Sequence, residues 1–429
     1  MNAYLKRIRT DAETAVLNAF SGIEDDLPGR AETHAARRSR MALFERVGLP
    51  HRRIEQWKYT DLRSLMRTWA PLAEVAGDVE TPLPLLDGAL QIVIADGFVQ
   101  KMDDLPAGIA VRSLGDALAD GEAALDGADT PDRAIDALNA AFVRDGIILA
   151  VDAGAKIETP IELVFVGSDQ TAMRHSRAHI VVGEGASLTM VERHTTPEGA
   201  SAQCSCVAKY AIGDGAVLDV LRLQDEGGEA VHLGESSFDI AGDARVRVLH
   251  INAGAKLARV ETRASFMGEG ARFDVAGLTM ASDRQHLDQT LYVDHLVPHC
   301  ESTETFKTVI DDAAKAVFQG KIVVAQDAQK TDAQMASDAL LLSETADMIA
   351  KPELEIFADD VSCAHGATCG EIDEDLMFYL SARGIAPPQA RKLLLQVFLS
   401  EGAELFEDHP FEQIAITAVE RWLEEHAGR

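Results

Sequence analysis

One phrase recurs through the middle of this chain and narrows the folds open to it. It reads VVGEGASLTMVE from position 181, AIGDGAVLDVLR from 211, IAGDARVRVLH from 240 and FMGEGARFDVAG from 266. Aligned on Ala186, Ala216, Ala244 and Ala271, the copies lie 30, 28 and 27 residues apart. Each couples a Gly/Asp turn to a run of period-2 alternation, and further short runs, such as 207–212 and 236–240, fit between them. A unit this short cannot bury an apolar face alone, but it can when stacked on its neighbours. The spacing therefore predicts a solenoid of β coils. A β-sandwich is the alternative architecture, and the near-constant period favours the solenoid.

On either side of the coils the period becomes helical. Leu5, Ile8, Ala12, Ala15 and Val16 share one face, and an amphipathic run over 35–47 stops at Gly48 and Pro50. In 51–65, Trp57 and Tyr59 interrupt a charged segment, which reads as local packing. Residues 71–140 show one strand over 90–95 and one helix over 131–143. Beyond the coils, Asp373 with Glu374 and Asp375 opens a helix that Gly384 ends. Pro387-Pro388 then start QARKLLLQVFLSEGAELF, and a last helix over 410–426 puts Phe411, Ile414, Ala418 and Trp422 on one stripe. The run from Leu393 to Leu399 is more apolar than one buried stripe needs, so it is either sandwiched or docks a partner. The expected protein is mainly β. Residues 1–70 form an N-terminal helical region, 71–145 a connecting α/β segment, 146–360 a β-helix core, and 361–429 a C-terminal helical domain that includes a Cys/His loop.

Composition excludes several functions. With 40 Lys and Arg against 70 Asp and Glu, the net charge of −30 opposes nonspecific nucleic-acid binding, which needs cations to displace counterions. No apolar run approaches the ~20 residues of a membrane span, and the N-terminus lacks the apolar core of a secretory signal. Five scattered cysteines suit a reduced, cytoplasmic chain better than a disulfide framework. There is no phosphate-binding loop, no G-x-S-x-G elbow, no H-E-x-x-H and no pair of C-x-x-C motifs.

Four groupings of ligand-type residues remain. Cys204 and Cys206, two apart in a strand-like run, face one side and read as core filling. His175 and His179 also share a strand face and read as surface histidines. His295, His299 and Cys300, near Asp294, fall in a polar turn between coils. The densest grouping lies within 351–381, where Cys363, His365 and Cys369 follow a strand-like run among small residues. That stretch reads as a loop just before a helix N-terminus, whose positive end would favour the Cys363 thiolate. Thiolate and imidazole suit iron, zinc or copper, but Cys363 and His365 supply only half a four-coordinate site.

At these residues the chain resembles the SufB/SufD family of the SUF iron–sulfur cluster assembly system, and its SufD branch more than its SufB branch. The matching pieces are QWKYTDL (56–62), LNAAFVRDGIILAV (138–151), FQGKIVVAQDAQKTDAQM (318–335), LLLS (340–343), KPELEIFADDVSCAHGAT (351–368) and FYLSARGI (378–385). The resemblance implies a right-handed parallel β-helix flanked by helical regions. It implies a non-catalytic scaffold subunit that shares an interface with a SufB-like subunit, where iron or a nascent iron–sulfur cluster is held transiently. It also implies a SufC-like ABC ATPase docked on the C-terminal helices. By position, His365 is the family's functional histidine and Cys363 stands beside it. Cys300 is a weaker metal candidate, and Cys369 falls where the pattern has an apolar residue, which implies packing. A solenoid end or edge strand also offers the isolated chain a way to pair with itself. Two other readings stay open. One is a β-helix polysaccharide lyase or hydrolase using Asp274, Asp283 and Asp288; the other is a stand-alone metal enzyme built on His295, His299 and His365.

Overall fold

The computed structural model describes residues 8–74, 79–125 and 130–426. The helices are α1 (Asp11–Ile23), α2 (Ala31–Val47), α3 (Leu62–Leu65), α4 (Leu114–Asp120), α5 (Ala134–Phe142), α6 (Glu374–Ala382), α7 (Pro387–Ser400) and α8 (Pro410–His426). The first strands are β1 (Leu90–Ala95), β2 (Phe98–Met102), β3 (Ile109–Ser113), β4 (Asp145–Val151), β5 (Ile161–Val166) and β6 (Met173–Val182). The coils continue through β7 (Ser187–Thr195), β8 (Gln203–Ile212), β9 (Val217–Asp225), β10 (Val231–Ile240), β11 (Arg245–Asn252) and β12 (Leu257–Phe266). The series ends with β13 (Arg272–Ala281), β14 (His286–His295), β15 (Glu301–Ile310), β16 (Lys315–Val324), β17 (Asp332–Leu341), β18 (Asp347–Ile356) and β19 (Ser362–Gly370).

From β4 onward, successive strands alternate between two walls. One wall is a 10-stranded sheet running from β19 through the odd strands to β5, β1 and β2. The other is a 9-stranded sheet running from β18 through the even strands to β3. Within each wall the coil strands pair in parallel, so the expected β-solenoid is what forms. Inward residues alternate with outward ones, and the lumen fills with side chains such as Ile180, Tyr210, Phe238, Phe266 and Phe306. Each such apolar side chain taken fully from water contributes about 1.5–3 kcal/mol.

The repeated phrase has a direct structural cause. Ala186, Ala216, Ala244 and Ala271 are all buried and stack in one column, because the strands that follow them pair Ser187–Val217–Arg245–Arg272. The residue before each alanine (Gly185, Gly215, Asp243, Gly270) takes positive φ, between 54° and 74°. That conformation suits Gly or Asp, and only a small residue fits the inward corner after it. The column does not stop at Ala271. His299 and Lys330 take the same positive φ, 62° and 64°, and Cys300 and Thr331 occupy the inward corner.

Helices cover the outside of both walls. The N-terminal helices, Trp57 and Leu62 pack with Met173, Leu233 and Leu257 of the even-stranded wall. There the Arg259 guanidinium lies 3.9 Å from the Trp57 ring centroid and pairs with Asp288 at 2.6 Å. Helices α7 and α8 pack on Leu221, Leu249, Leu278 and Val309 of the odd-stranded wall.

Several sequence expectations change. Leu5 lies outside the described residues. Ile8 is exposed and precedes α1, which starts behind a reciprocal Thr10–Glu13 cap. Between 71 and 145, β2, β3 and α4 were not legible, being short and half exposed. The segment 362–370, expected as a loop belonging to the helical domain, is strand β19 and belongs to the sheet. Its backbone follows the ladder offered by β17 rather than its own Ser/Ala/Gly composition.

Candidate functional site

The two ends of the solenoid differ. At the first, short antiparallel strands finish both walls: β2 against β1 and β3 against β4. At the other, β18 and β19 are the last strands and run parallel to their neighbours over nine or more residues. Every residue of β19 except Cys363 is exposed. Short edges with strand reversal discourage further pairing, whereas a long bare edge invites it.

Cys363 and His365 sit on this bare edge. They register with Ala333 and Met335 of β17, so both fall on the face that points inward in earlier coils. Being i and i+2 in a strand, their Cα atoms are about 6.5 Å apart, close enough to share one ion or adjacent atoms of a cluster. Cys363 is half-buried against the core and His365 is exposed. Cys369 registers with Ala339 on the same face and is exposed, so its expected packing role is not what the fold gives it. The period of two would have aligned 363, 365 and 369, but only once the segment is known to be a strand.

The expected helix-dipole activation of Cys363 does not occur. Helix α6 begins at Glu374, behind an Asp373 cap, with the rest of β19 between it and Cys363. Burial instead raises the Cys363 thiol above its ordinary value, and the nearby Asp332 adds to the rise. Burial and Asp338 raise Cys369 in the same way.

A further group was not anticipated. Glu304 of β15 pairs with Met335, which pairs with His365, so the three share one inward column. Glu304 is fully buried, and burial pushes its pKa up to about 8. The interior behind Cys363 thus holds a neutral carboxylic acid at pH 7.

The other candidates are dispersed. Cys300 is buried in the alanine column and its thiol donates to the Gly268 carbonyl oxygen at 3.4 Å. The strand it precedes, β15, lies two ladder steps from β19, roughly 10 Å away, so the fold does not bring it to Cys363. His295 is buried with Nε2 3.0 Å from Ser302 Oγ, and burial lowers its pKa to about 4. His299 fills the positive-φ slot of a turn, so His295, His299 and His365 do not converge. Asp274 and Asp288 lie on opposite walls with Asp283 in the turn between, so these three do not form a carboxylate pair. His175 is not a surface histidine. Helix α5 covers it, Phe142 stacks on it at 5.1 Å, and its pKa falls to about 3 through burial.

Around the bare end large apolar side chains stand exposed among acidic ones such as Glu355, Asp360 and Glu374. Phe357, Leu376, Phe378 and Tyr379 are exposed, Phe378 by 75%. Helix α7 divides the apolar run between its faces: Leu395 and Leu399 are buried on the wall, whereas Leu393 and Val397 remain exposed.

Comparison with known proteins places the chain in a family. Residues 165–398 match the family model described as SUF system FeS cluster assembly, SufBD core domain. The chain belongs to the SufB/SufD family. Residues 29–163 match the SufBD protein N-terminal region. The iron–sulfur cluster assembly protein SufD of Escherichia coli (strain K12) is 29% identical over 87% of this chain and 89% of its own. A SufBD family protein of Synechocystis is 30% identical over 89% and 88%, and one of Mycobacterium leprae is 27% identical over 82% and 85%. This SufB/SufD chain is therefore an iron–sulfur cluster assembly protein, and β19 carries its exposed imidazole, His365, beside the half-buried thiol of Cys363.

Proposed function

We propose that the chain is a non-catalytic scaffold subunit of a SufBCD-type complex, and that a SufB-like subunit joins it at the β18–β19 end. Cys363 and His365 then supply part of the ligand set for iron or a nascent cluster, and the partner supplies the rest. The observation that carries this reading is the asymmetry of the ends: the bare one presents a thiol and an imidazole on a strand edge. ATP hydrolysis belongs to a SufC-like subunit docked on the C-terminal helices, where Leu393 and Val397 leave an apolar face open.

The test is cluster formation on the complex reconstituted with SufB-like and SufC-like partners. His365→Ala lies on an exposed strand and is expected to leave folding and assembly intact while abolishing the cluster's visible absorption. Normal cluster yield from an intact His365→Ala complex would remove the site from the proposal.

A further inference from the structure

A second group of metal-type ligands lies far from the bare end. Cys204 of β8 and His232 of β10 are direct ladder partners. In the next four coils of the same wall that position is filled by Ala258, Leu287, Ala316 and Met348, all in or against one apolar cluster. A thiol and an imidazole replace apolar packing at these two coils. Glu226, the residue after β9, adds its carboxylate from the turn.

The three groups meet closely. Cys204 Sγ lies 3.1 Å from Glu226 Oε1 and 3.2 Å from His232 Nδ1, and that nitrogen is 3.0 Å from Glu226 Oε2. His232 and Glu226 are 1% and 6% exposed, and Cys204 is half-buried. Gln224 Nε2 donates to Glu226 Oε2 at 2.7 Å and fixes the carboxylate. At Gly234 a Cβ would come within 2.4 Å of His232 Nε2, so the glycine makes room for the ring. A second buried imidazole, His194, packs edge-on against His232 with centroids 4.8 Å apart.

A metal ion explains this grouping better than a hydrogen-bonded triad does. Donors held about 2.0–2.3 Å from a tetrahedral ion are themselves roughly 3.2–3.6 Å apart, so the triangle needs to open by only a few tenths of an ångström. One thiolate, one carboxylate and one neutral imidazole also cancel the charge of a divalent ion, which keeps the site electrically neutral in a dry interior. From this arrangement we propose that Cys204, Glu226 and His232 bind one divalent transition-metal ion, Zn²⁺ or Fe²⁺, with the fourth position open. On binding, the Cys204 thiol gives its proton to solvent and its sulfur bonds the metal. The site is separate from Cys363 and His365: five ladder steps divide β9 from β19, roughly 24 Å.

The test uses the full chain, stripped with a chelator and titrated anaerobically with Co²⁺. One equivalent should bind, giving tetrahedral ligand-field bands and a thiolate-to-cobalt charge-transfer band. Cys204→Ser should lose the charge-transfer band. His232→Ala should weaken binding by about tenfold or more, the loss that even an outer partner of a ligand causes. Cys363→Ser and His365→Ala should keep both spectrum and affinity, which separates this site from the one at the bare end. Displacement of Co²⁺ by Zn²⁺ or by Fe²⁺ assigns the resident ion. Because the Cys204 and His232 variants also disturb a packed interior, the unaltered chain gives a second readout: Zn²⁺ should slow alkylation of Cys204, mapped by mass spectrometry. Absence of Co²⁺ binding to the unaltered chain, a charge-transfer band that survives Cys204→Ser, or alkylation of Cys204 unaffected by Zn²⁺ would each overturn the proposal.

Discussion

Glu304 lies two coils behind His365 in one inward-facing column, with Met335 between them. Its folded pKa of about 8 exceeds the ordinary carboxylate value. Between those values the folded chain keeps a proton that the unfolded chain has released, so stability falls as pH rises from about 4.5 to about 8. Glu304→Gln should remove that dependence and stabilise the chain at pH 8, by an amount on the order of a few kcal/mol. Urea unfolding of both proteins at pH 5 and pH 8 measures it, and equal pH slopes would contradict the assignment.

The thiols should differ in reactivity. Cys369 is exposed, Cys363 half-buried, and Cys206 and Cys300 buried. Iodoacetamide applied to the native chain should label Cys369 first and Cys363 more slowly. Cys206, pushed to about 12 by burial, should stay unlabelled until the chain unfolds. Mass-spectrometric time courses report the order. Addition of a SufB-like partner should protect Cys363 and Cys369 together.

Cys300→Ala should be nearly silent. Its corner is occupied by alanine in four earlier coils, so the substitution restores the pattern and should lower stability by no more than about 1 kcal/mol. Cluster yield on the reconstituted complex should also be unchanged. A marked loss of yield at unchanged stability would return Cys300 to the list of ligands.

The seam between the N-terminal helices and the even-stranded wall should be far more sensitive. Trp57→Ala removes the ring over which Arg259 sits and opens a buried gap, and should lower stability by about 3–5 kcal/mol. Arg259→Leu leaves Asp288 buried without its cation, with a loss of about 3–5 kcal/mol. Denaturant midpoints report both.

The solenoid was legible because its corners demand two unusual residues in succession, one tolerant of positive φ and one small. Where those slots are filled by His299–Cys300 and Lys330–Thr331, the demand is met by other chemistry, and the repeat disappears from the sequence. What looked like a knot of ligands at His299 and Cys300 is the corner in another form. The segment 362–370 was hidden for a related reason: few of its residues favour a strand, and the ladder with β17 holds it extended. His365 and Cys363 could be picked out as a pair, but Cys369 could not be placed on their face without that strand. Glu304 and the Cys204–Glu226–His232 cluster depend on contacts between successive coils, such as Cys204 with His232 28 residues on, which no local pattern records.

The unequal ends also govern how far an assembly can grow. A β coil with two bare edges would add copies indefinitely and run into a fibre. Here the long parallel edges lie at one terminus alone, and two chains joined there, as the proposed pairing has it, would leave only the short antiparallel edges of β2 and β3 open. Such pairing would be self-limiting, the last coil being at once the growth point and the stop.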